Sequence, residues 1–251
     1  MNTIGFTSTT FRRIKSKAKI VAIAKEAQVN SIEWGGDIHV KNVDDAKEAF
    51  KLCSENKITV SSYGSYYKIG SFETKQWLEI CKIAKALHAK SIRVWLGKKG
   101  SKKNTAQERT KLLEDAKIIC DLAKDYGLIV SPECHLGTYN DNTDAFLGFA
   151  KNLNCDNFKT YFQSLYKDLP YDIDRLKRTL PYILNVHISY SEQTRMQFFS
   201  KRNKNYIDEL LRTLKALNFQ GGILLEYTYW SLENYFYKDI EKLKKWCGEK
   251  S

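Results

Sequence analysis

Short runs of β-branched and apolar residues alternate along this chain with longer stretches in which apolar residues return at helical spacing. The alternation occurs eight times. The short runs cover residues 3–7, 31–34, 58–62, 91–95, 128–133, 158–163, 183–187 and 222–226 and read as strands. The stretches after them predict helices over 10–28, 43–55, 72–87, 105–126, 143–153, 172–179, 205–217 and 234–246. Ile80, Ile83, Ala84 and Leu87 share one helix face, as do Leu112, Leu113, Ala116, Ile119 and Cys120. Gly127 is placed to stop a helix just before the next strand. Strict alternation predicts a parallel sheet with helical crossovers. Eight units in 251 residues predict a closed (β/α)8 TIM barrel, one α/β domain over 1–251. The alternative, an open doubly wound sheet, leads one to expect a glycine-rich turn after the first strand. This chain has Thr7-Ser8-Thr9-Thr10 there.

Composition adds few constraints. Apolar residues at 43% and charged residues at 28% fit a soluble globular protein with a sizeable core. No apolar run approaches the roughly 18 residues of a membrane span. Residues 1–10 read as a strand rather than as a basic and then apolar leader, so a cytoplasmic location is expected. None of the six cysteines forms a CxxC pair, and Cys53, Cys81 and Cys120 fall on apolar helix faces, as buried reduced thiols would. The net charge of +12 raises the question of a nucleic-acid partner. The lysines, however, interleave with acids, as from Lys111 to Lys117, in the manner of solvated helix faces. The cluster Lys98-Lys99-Gly100-Ser101-Lys102-Lys103 is either a basic loop or a place for a substrate phosphate. A homodimer is compatible with the sequence, with His88, Trp77 and Trp246 lining an interface or simply packing.

In such barrels the chemistry sits at the C-terminal face, on strand ends and the loops after them. The polar residues there are Glu33 then His39, Ser62 with Tyr63, Arg93, Glu133 then His135, Gln163, His187 and Glu226. The last four strands bring Glu133, Gln163, His187 and Glu226 to one level. Two carboxylates, an imidazole and an amide oxygen form a shell for one divalent ion, Mn²⁺, Mg²⁺, Co²⁺ or Zn²⁺. Carboxylates facing each other inside a barrel would be unfavourable without such a cation. The competing reading is that each polar residue satisfies only local backbone groups.

At these residues the chain resembles a known family. Ile32-Glu33-Trp34-Gly35-Gly36-Asp37-Ile38-His39-Val40 is similar to the second-strand segment of xylose isomerase-like TIM-barrel proteins, the sugar phosphate isomerase/epimerase superfamily. Ser91-Ile92-Arg93-Val94-Trp95, Pro132-Glu133-Cys134-His135, Asn185-Val186-His187-Ile188 and Leu225-Glu226-Tyr227 resemble its fourth, fifth, seventh and eighth strands. The resemblance implies metal ligands at Glu133, His187 and Glu226. It departs at Gln163, where many members carry Asp or His, and a neutral amide binds a hard cation more weakly than a carboxylate does.

The expected activity is a metal-dependent isomerase or epimerase of a sugar or sugar phosphate. One of Glu133 and Glu226 would take the proton beside a carbonyl to give an enediolate, and the other would return a proton. His135 would bind a substrate hydroxyl or carbonyl oxygen, and Glu33 would join the substrate-binding set. His39 and Arg93 would hold the far end, Arg93 suiting a carboxylate or phosphate. Trp34, Tyr63 and Trp95 would form apolar walls or pack the barrel. Two alternatives remain: a dehydratase or lyase acting on a polyol or inositol, and a sugar-binding barrel without turnover. Apurinic endonucleases of the superfamily hold a trinuclear zinc cluster on many histidines. Four histidines, with His88 predicted at a helix end, argue against that activity and against a nucleic-acid partner.

Overall fold

Both faces of the strands are buried, but with different chemistry on each. The computed structural model describes residues 3–165, 168–190 and 203–248. Its strands are β1 (Thr3–Thr7), β2 (Ser31–Gly35), β3 (Thr59–Lys68), β4 (Ser91–Trp95), β5 (Ile129–Pro132), β6 (Thr160–Phe162), β7 (Ile183–Ile188) and β8 (Gly222–Leu225). They pair in parallel in the order β5-β4-β3-β2-β1-β8-β7-β6. Bridges from Val130 to Phe158 and from Glu133 to Tyr161 join the two ends into a barrel. The main crossover helices are α1 (Lys17–Glu26), α2 (Val43–Glu55), α3 (Thr74–Ala86), α4 (Ala106–Asp125), α5 (Thr143–Leu153), α6 (Leu169–Thr179), α7 (Asn203–Ala216) and α8 (Glu233–Cys247). The predicted (β/α)8 barrel is thus the fold observed, and no helix among the described residues is long and apolar enough to cross a membrane.

Period-two alternation sorts each strand into a dry and a polar face. Ile32, Trp34, Ile92, Val94, Val130, Val186, Ile188, Ile223 and Leu225 join one apolar core with Ile20, Ala24, Ala49, Cys53, Trp77 and Cys81 of the helices. Alternate positions carry Ser31 and Glu33, Ser91 and Arg93, Ser131 and Glu133, Asn185 and His187, all buried as well. TIM barrels are more often filled with branched apolar side chains. The thiols of Cys53, Cys81, Cys120 and Cys134 are buried, and none of the six cysteines is in a disulfide. Trp77 is also core, donating from its indole nitrogen to the Ile119 carbonyl at 3.0 Å.

Several elements differ from their predicted extents, three of them for a reason visible in the structure. The first helix starts at Lys17 rather than near residue 10. The hydroxyls of Thr7, Thr9 and Thr10 bond one another there, offering an alternative to the helix ladder, and Ser16 caps the helix that follows. β3 runs on to Lys68 because the chain continues to pair with the end of β4, a register shift setting Lys68 against Trp95. β6 is short, so side chains stitch the β5–β6 seam. Thr160 Oγ1 donates to the Pro132 carbonyl at 2.8 Å, and Asn140 Nδ2 donates to Thr160 Oγ1 at 3.0 Å. The α6 residue Arg175 in turn donates to the Asn140 carbonyl at 2.9 Å and to its Oδ1 at 2.7 Å.

That seam gives a test. Asn140→Ala leaves a buried guanidinium short of an acceptor and should cost about 2–3 kcal/mol in urea denaturation. An unchanged midpoint would show that the stitching is dispensable.

Candidate active site

Six strands deliver polar side chains to one level at the C-terminal end of the lumen. Glu33 comes from β2, Ser62 from β3, Arg93 from β4 and His187 from β7, while Glu133 and Glu226 are the first residues past β5 and β8. Arg93 Nε donates to Glu33 Oε1 at 2.8 Å, and Arg93 Nη1 donates to Glu133 Oε2. Ser62 Oγ donates to Glu33 Oε2 at 2.6 Å. His187 lies between carboxylates: Nε2 is 3.5 Å from Glu33 Oε2, and Nδ1 is 3.5 Å from Glu226 Oε2 and 3.9 Å from Glu133 Oε1. The charged side chains are no more than 8% exposed. Gly64 makes room for this arrangement, since a Cβ there would stand 2.9 Å from Arg93 Nη2 and 3.3 Å from Glu33 Oε1.

Burial acts against every charge in the cluster, and the neighbours decide the outcome. For Glu33, burial is outweighed by Arg93, then by His187 and Ser62, which hold the carboxyl well below the usual range. For Glu133 burial prevails over Arg93, with Glu226 adding to it, and the carboxyl is raised. Glu226 is lowered, because His187 and then Arg93 overcome its burial. His187 is raised to about 10, burial again giving way to Glu226 and Glu33. Two buried carboxyls on one imidazole are thereby pushed apart in pKa, a pattern found where one group acts as acid and another as base.

The donor set fits a divalent cation. Ligand atoms of Glu133, His187 and Glu226 all lie within 4.8 Å of one another. Donors sharing an ion at about 2.1 Å stand about 3–4 Å apart, close to the spacings around His187 Nδ1. Neither His187 nitrogen has a hydrogen bond of full geometry, and the Oε1 of Gln163 is buried without a partner. Gln163 follows β6, half-buried, with its backbone against the Cys134 thiol.

The remaining predicted residues are distributed differently. His39 is buried, with Nδ1 3.0 Å from Ser8 Oγ and Nε2 2.7 Å from the Ile14 carbonyl, so both nitrogens serve the loops after β1 and β2. Trp34 faces the helices against Cys53, and Tyr63 donates to the Val40 carbonyl at 3.1 Å. Those two rings pack the outer layer and are not brought to the cluster. His135 is half-buried above the site, stacked on Trp95 at 4.9 Å, with Nδ1 2.7 Å from the Leu136 carbonyl. His88 stacks on Phe50 at 3.8 Å, so His187 alone of the four histidines lies among the carboxylates. Lys99 pairs with Glu108, and the basic loop lines a cavity of 260 Å³ with Gly70 and Lys111, apart from the cluster residues.

Sequence reasoning passed over several members. Tyr161 is buried beside His187, ring centroids 4.8 Å apart at 66°, and its hydroxyl accepts from Asn185 Nδ2 at 2.9 Å. Tyr66 lies with its ring 6.0 Å from the Arg93 guanidinium carbon, on the part of β3 that the sequence did not predict. Tyr227 sits next to Glu226 with a φ of 62°. Tyr161 and Asn185 had a signal, since each lies two residues before a flagged strand-end residue and therefore on the same face.

The sequence profile of the xylose isomerase-like TIM-barrel family matches residues 21–246. No curated protein matches by sequence. Among solved structures, the probable 3-DHS dehydratase AsbF of Bacillus anthracis superposes with a TM-score of 0.78 at 17% identity, over 97% of this chain and 99% of that one. The D-allulose 3-epimerase of Methylomonas sp. gives 0.74 at 14%, over 98% of each chain. The 3-keto-D-glucoside 4-epimerase YcjR of E. coli gives 0.70 at 16%, over 98% and 99%. At these identities the superpositions speak to the fold.

The His187 environment predicts an alkaline stability limit for metal-free protein. A histidine near 6.5 when unfolded and about 10 when folded adds stability that is complete below pH 6.5 and lost as pH rises through 10. Thermal melts of chelator-treated protein should fall across that window, and His187→Asn should flatten the fall. Parallel curves for the two proteins would refute the assignment.

Proposed function

The chain belongs to the xylose isomerase-like TIM-barrel family, and from that premise we propose that it is a divalent-metal-dependent isomerase or epimerase of a small sugar or sugar phosphate. The observation that carries this reading is the convergence of Glu133, His187 and Glu226 within 4.8 Å on a buried lumen floor. Those three residues would hold Mn²⁺, Mg²⁺, Co²⁺ or Zn²⁺, with the unpartnered Gln163 Oε1 as a fourth, neutral donor. When bound, the ion supplies Lewis-acid polarisation of a carbonyl and a hold on the adjacent hydroxyl.

The protein's own groups do the proton work. Glu226, kept ionised by His187 and Arg93, takes the proton α to the carbonyl. Glu133, raised by burial and by Glu226, returns one: to the opposite face of the same carbon for epimerisation, or to the former carbonyl carbon for isomerisation, in which the adjacent hydroxyl's proton passes to the former carbonyl oxygen. Arg93 keeps Glu133 in place through Nη1. His135, with Nδ1 already bound to the Leu136 carbonyl, has Nε2 left to meet a substrate hydroxyl. Trp95 beneath it and Tyr66 beside it supply apolar surface for the sugar carbons.

Dehydration starts with the same proton abstraction, and the likeness of the fold to a probable 3-DHS dehydratase makes a dehydratase the second reading. Product analysis separates the two: an epimer or isomer retains its water, whereas a dehydrated product gains ultraviolet absorbance.

The test is a panel of ketoses, inositols and sugar acids in D₂O with Mn²⁺. Deuterium should enter the carbon beside the carbonyl, and Glu133→Gln and Glu226→Gln should each lower kcat by about 10²–10⁴-fold. Full activity in both variants would sink the scheme. Gln163→Asp should tighten Mn²⁺ binding, by about tenfold if the amide oxygen is a ligand, and unchanged affinity would remove Gln163 from the shell.

A further inference from the structure

Glu33 differs from the other carboxylates of the cluster in that both its oxygens are already engaged by the protein. Oε1 accepts from Arg93 Nε at 2.8 Å, and Oε2 accepts from Ser62 Oγ at 2.6 Å. It is 1% exposed. A carboxylate held this way is poorly placed to bind a substrate hydroxyl, the role the sequence assigned to it. It is well placed to present a fixed acceptor to something else inside the lumen.

That something is His187, reached across the barrel from β2 to β7. The imidazole has two distinct sides. Nδ1 faces Glu226 and Glu133, at 3.5 and 3.9 Å, and these are the two other proposed ligands. Nε2 faces away from them, 3.5 Å from Glu33 Oε2. The ring plane is set by Tyr161, packed edge-on at 4.8 Å, whose own hydroxyl is pinned by Asn185. The Nε2 contact is longer than a hydrogen bond of ordinary length, and a shift of about half an ångström closes it.

We propose that Glu33 is the positioning residue for His187: it accepts a hydrogen bond from Nε2–H, leaving the Nδ1 lone pair on the side of Glu133 and Glu226, where those residues would hold an ion. A ligating histidine commonly gives its other N–H to a carboxylate, which fixes the tautomer and raises the basicity of the ligand nitrogen. Ser62 and Arg93 act one step further out by fixing Glu33. Ser62 fills the second oxygen's remaining direction, and Arg93 keeps the carboxylate ionised and therefore acceptor-only. The inference rests on the reading of His187 as a metal ligand, but the Glu33–His187 contact can be tested without it.

Two measurements are needed, neither of them an activity. Mn²⁺ affinity is read by competition with a chelating indicator in the absence of substrate. Glu33→Gln should weaken it by about 10–100-fold, and Ser62→Ala should weaken it less but in the same direction. Separately, the His187 Nε2–H resonance of metal-free protein is assigned by its loss in His187→Asn and should move in both Glu33→Gln and Ser62→Ala. Glu33→Gln binding Mn²⁺ within twofold of wild type, with the resonance unmoved, overturns the proposal. If Glu33→Gln fails to fold, Ser62→Ala carries both comparisons, and wild-type values in each overturn it equally. A wild-type protein that binds no Mn²⁺ while the resonance still shifts in the variants would overturn the metal-dependent function and leave the Glu33–His187 contact standing.

Discussion

The arrangement of the lumen depends on one buried guanidinium. Glu33, Glu133 and Glu226 share the inside of the barrel with His187, and three carboxylates in that volume would repel one another and lose their hydration together. Arg93 answers both costs. Its fork reaches Glu33 with one nitrogen and Glu133 with another, and its pKa stays well above the ordinary value despite burial because Glu133, Glu33 and Glu226 surround it. Lysine could not replace it, since a single ammonium cannot serve two carboxylates with fixed planar geometry. The missing side chain at Gly64 provides the space that the fork occupies.

This cation also divides the work between the carboxylates. Glu33 has both oxygens filled and becomes a fixed part of the wall. Glu133 has one oxygen on Arg93 and the other 3.9 Å from His187 Nδ1. Glu226 faces the imidazole, its Oε2 3.5 Å from His187 Nδ1. Three residues of similar sequence context thus acquire different surroundings, and their pKa values part: Glu33 and Glu226 are lowered and Glu133 is raised. The outer layer is indifferent to all of this. It is an ordinary apolar interface between strands and helices, and it would hold the barrel with many different lumens.

The chain belongs to the xylose isomerase-like TIM-barrel family, and its lumen gathers Glu133, His187 and Glu226 within 4.8 Å of one another. Gln163, just past β6, brings a neutral amide rather than a further charge to the strand ends.

The sequence by itself determined the barrel and which polar residues end its strands. Strand–helix alternation is set by local periodicity, and the run Ser31-Ile32-Glu33-Trp34 already shows a polar face within a strand buried on both sides. Glu133, His187 and Glu226 were legible because each ends such a run. Four matters were decided only in three dimensions. His39 lies within the same motif as Glu33, yet the turn between them aims it at Ser8 and Ile14. The extension of β3 depends on pairing with the end of β4, an interaction between residues far apart in the chain, and it carries Tyr66 to the mouth. Tyr161 and Asn185 sit on the polar face, but their partnership with each other and with His187 follows from the register between β6 and β7. Glu33 reads as one more polar strand end, and its engagement by Arg93 and Ser62 is fixed by how neighbouring strands are staggered. Local pattern tells which side of a strand a residue occupies; the stagger of the closed barrel decides which residues meet there.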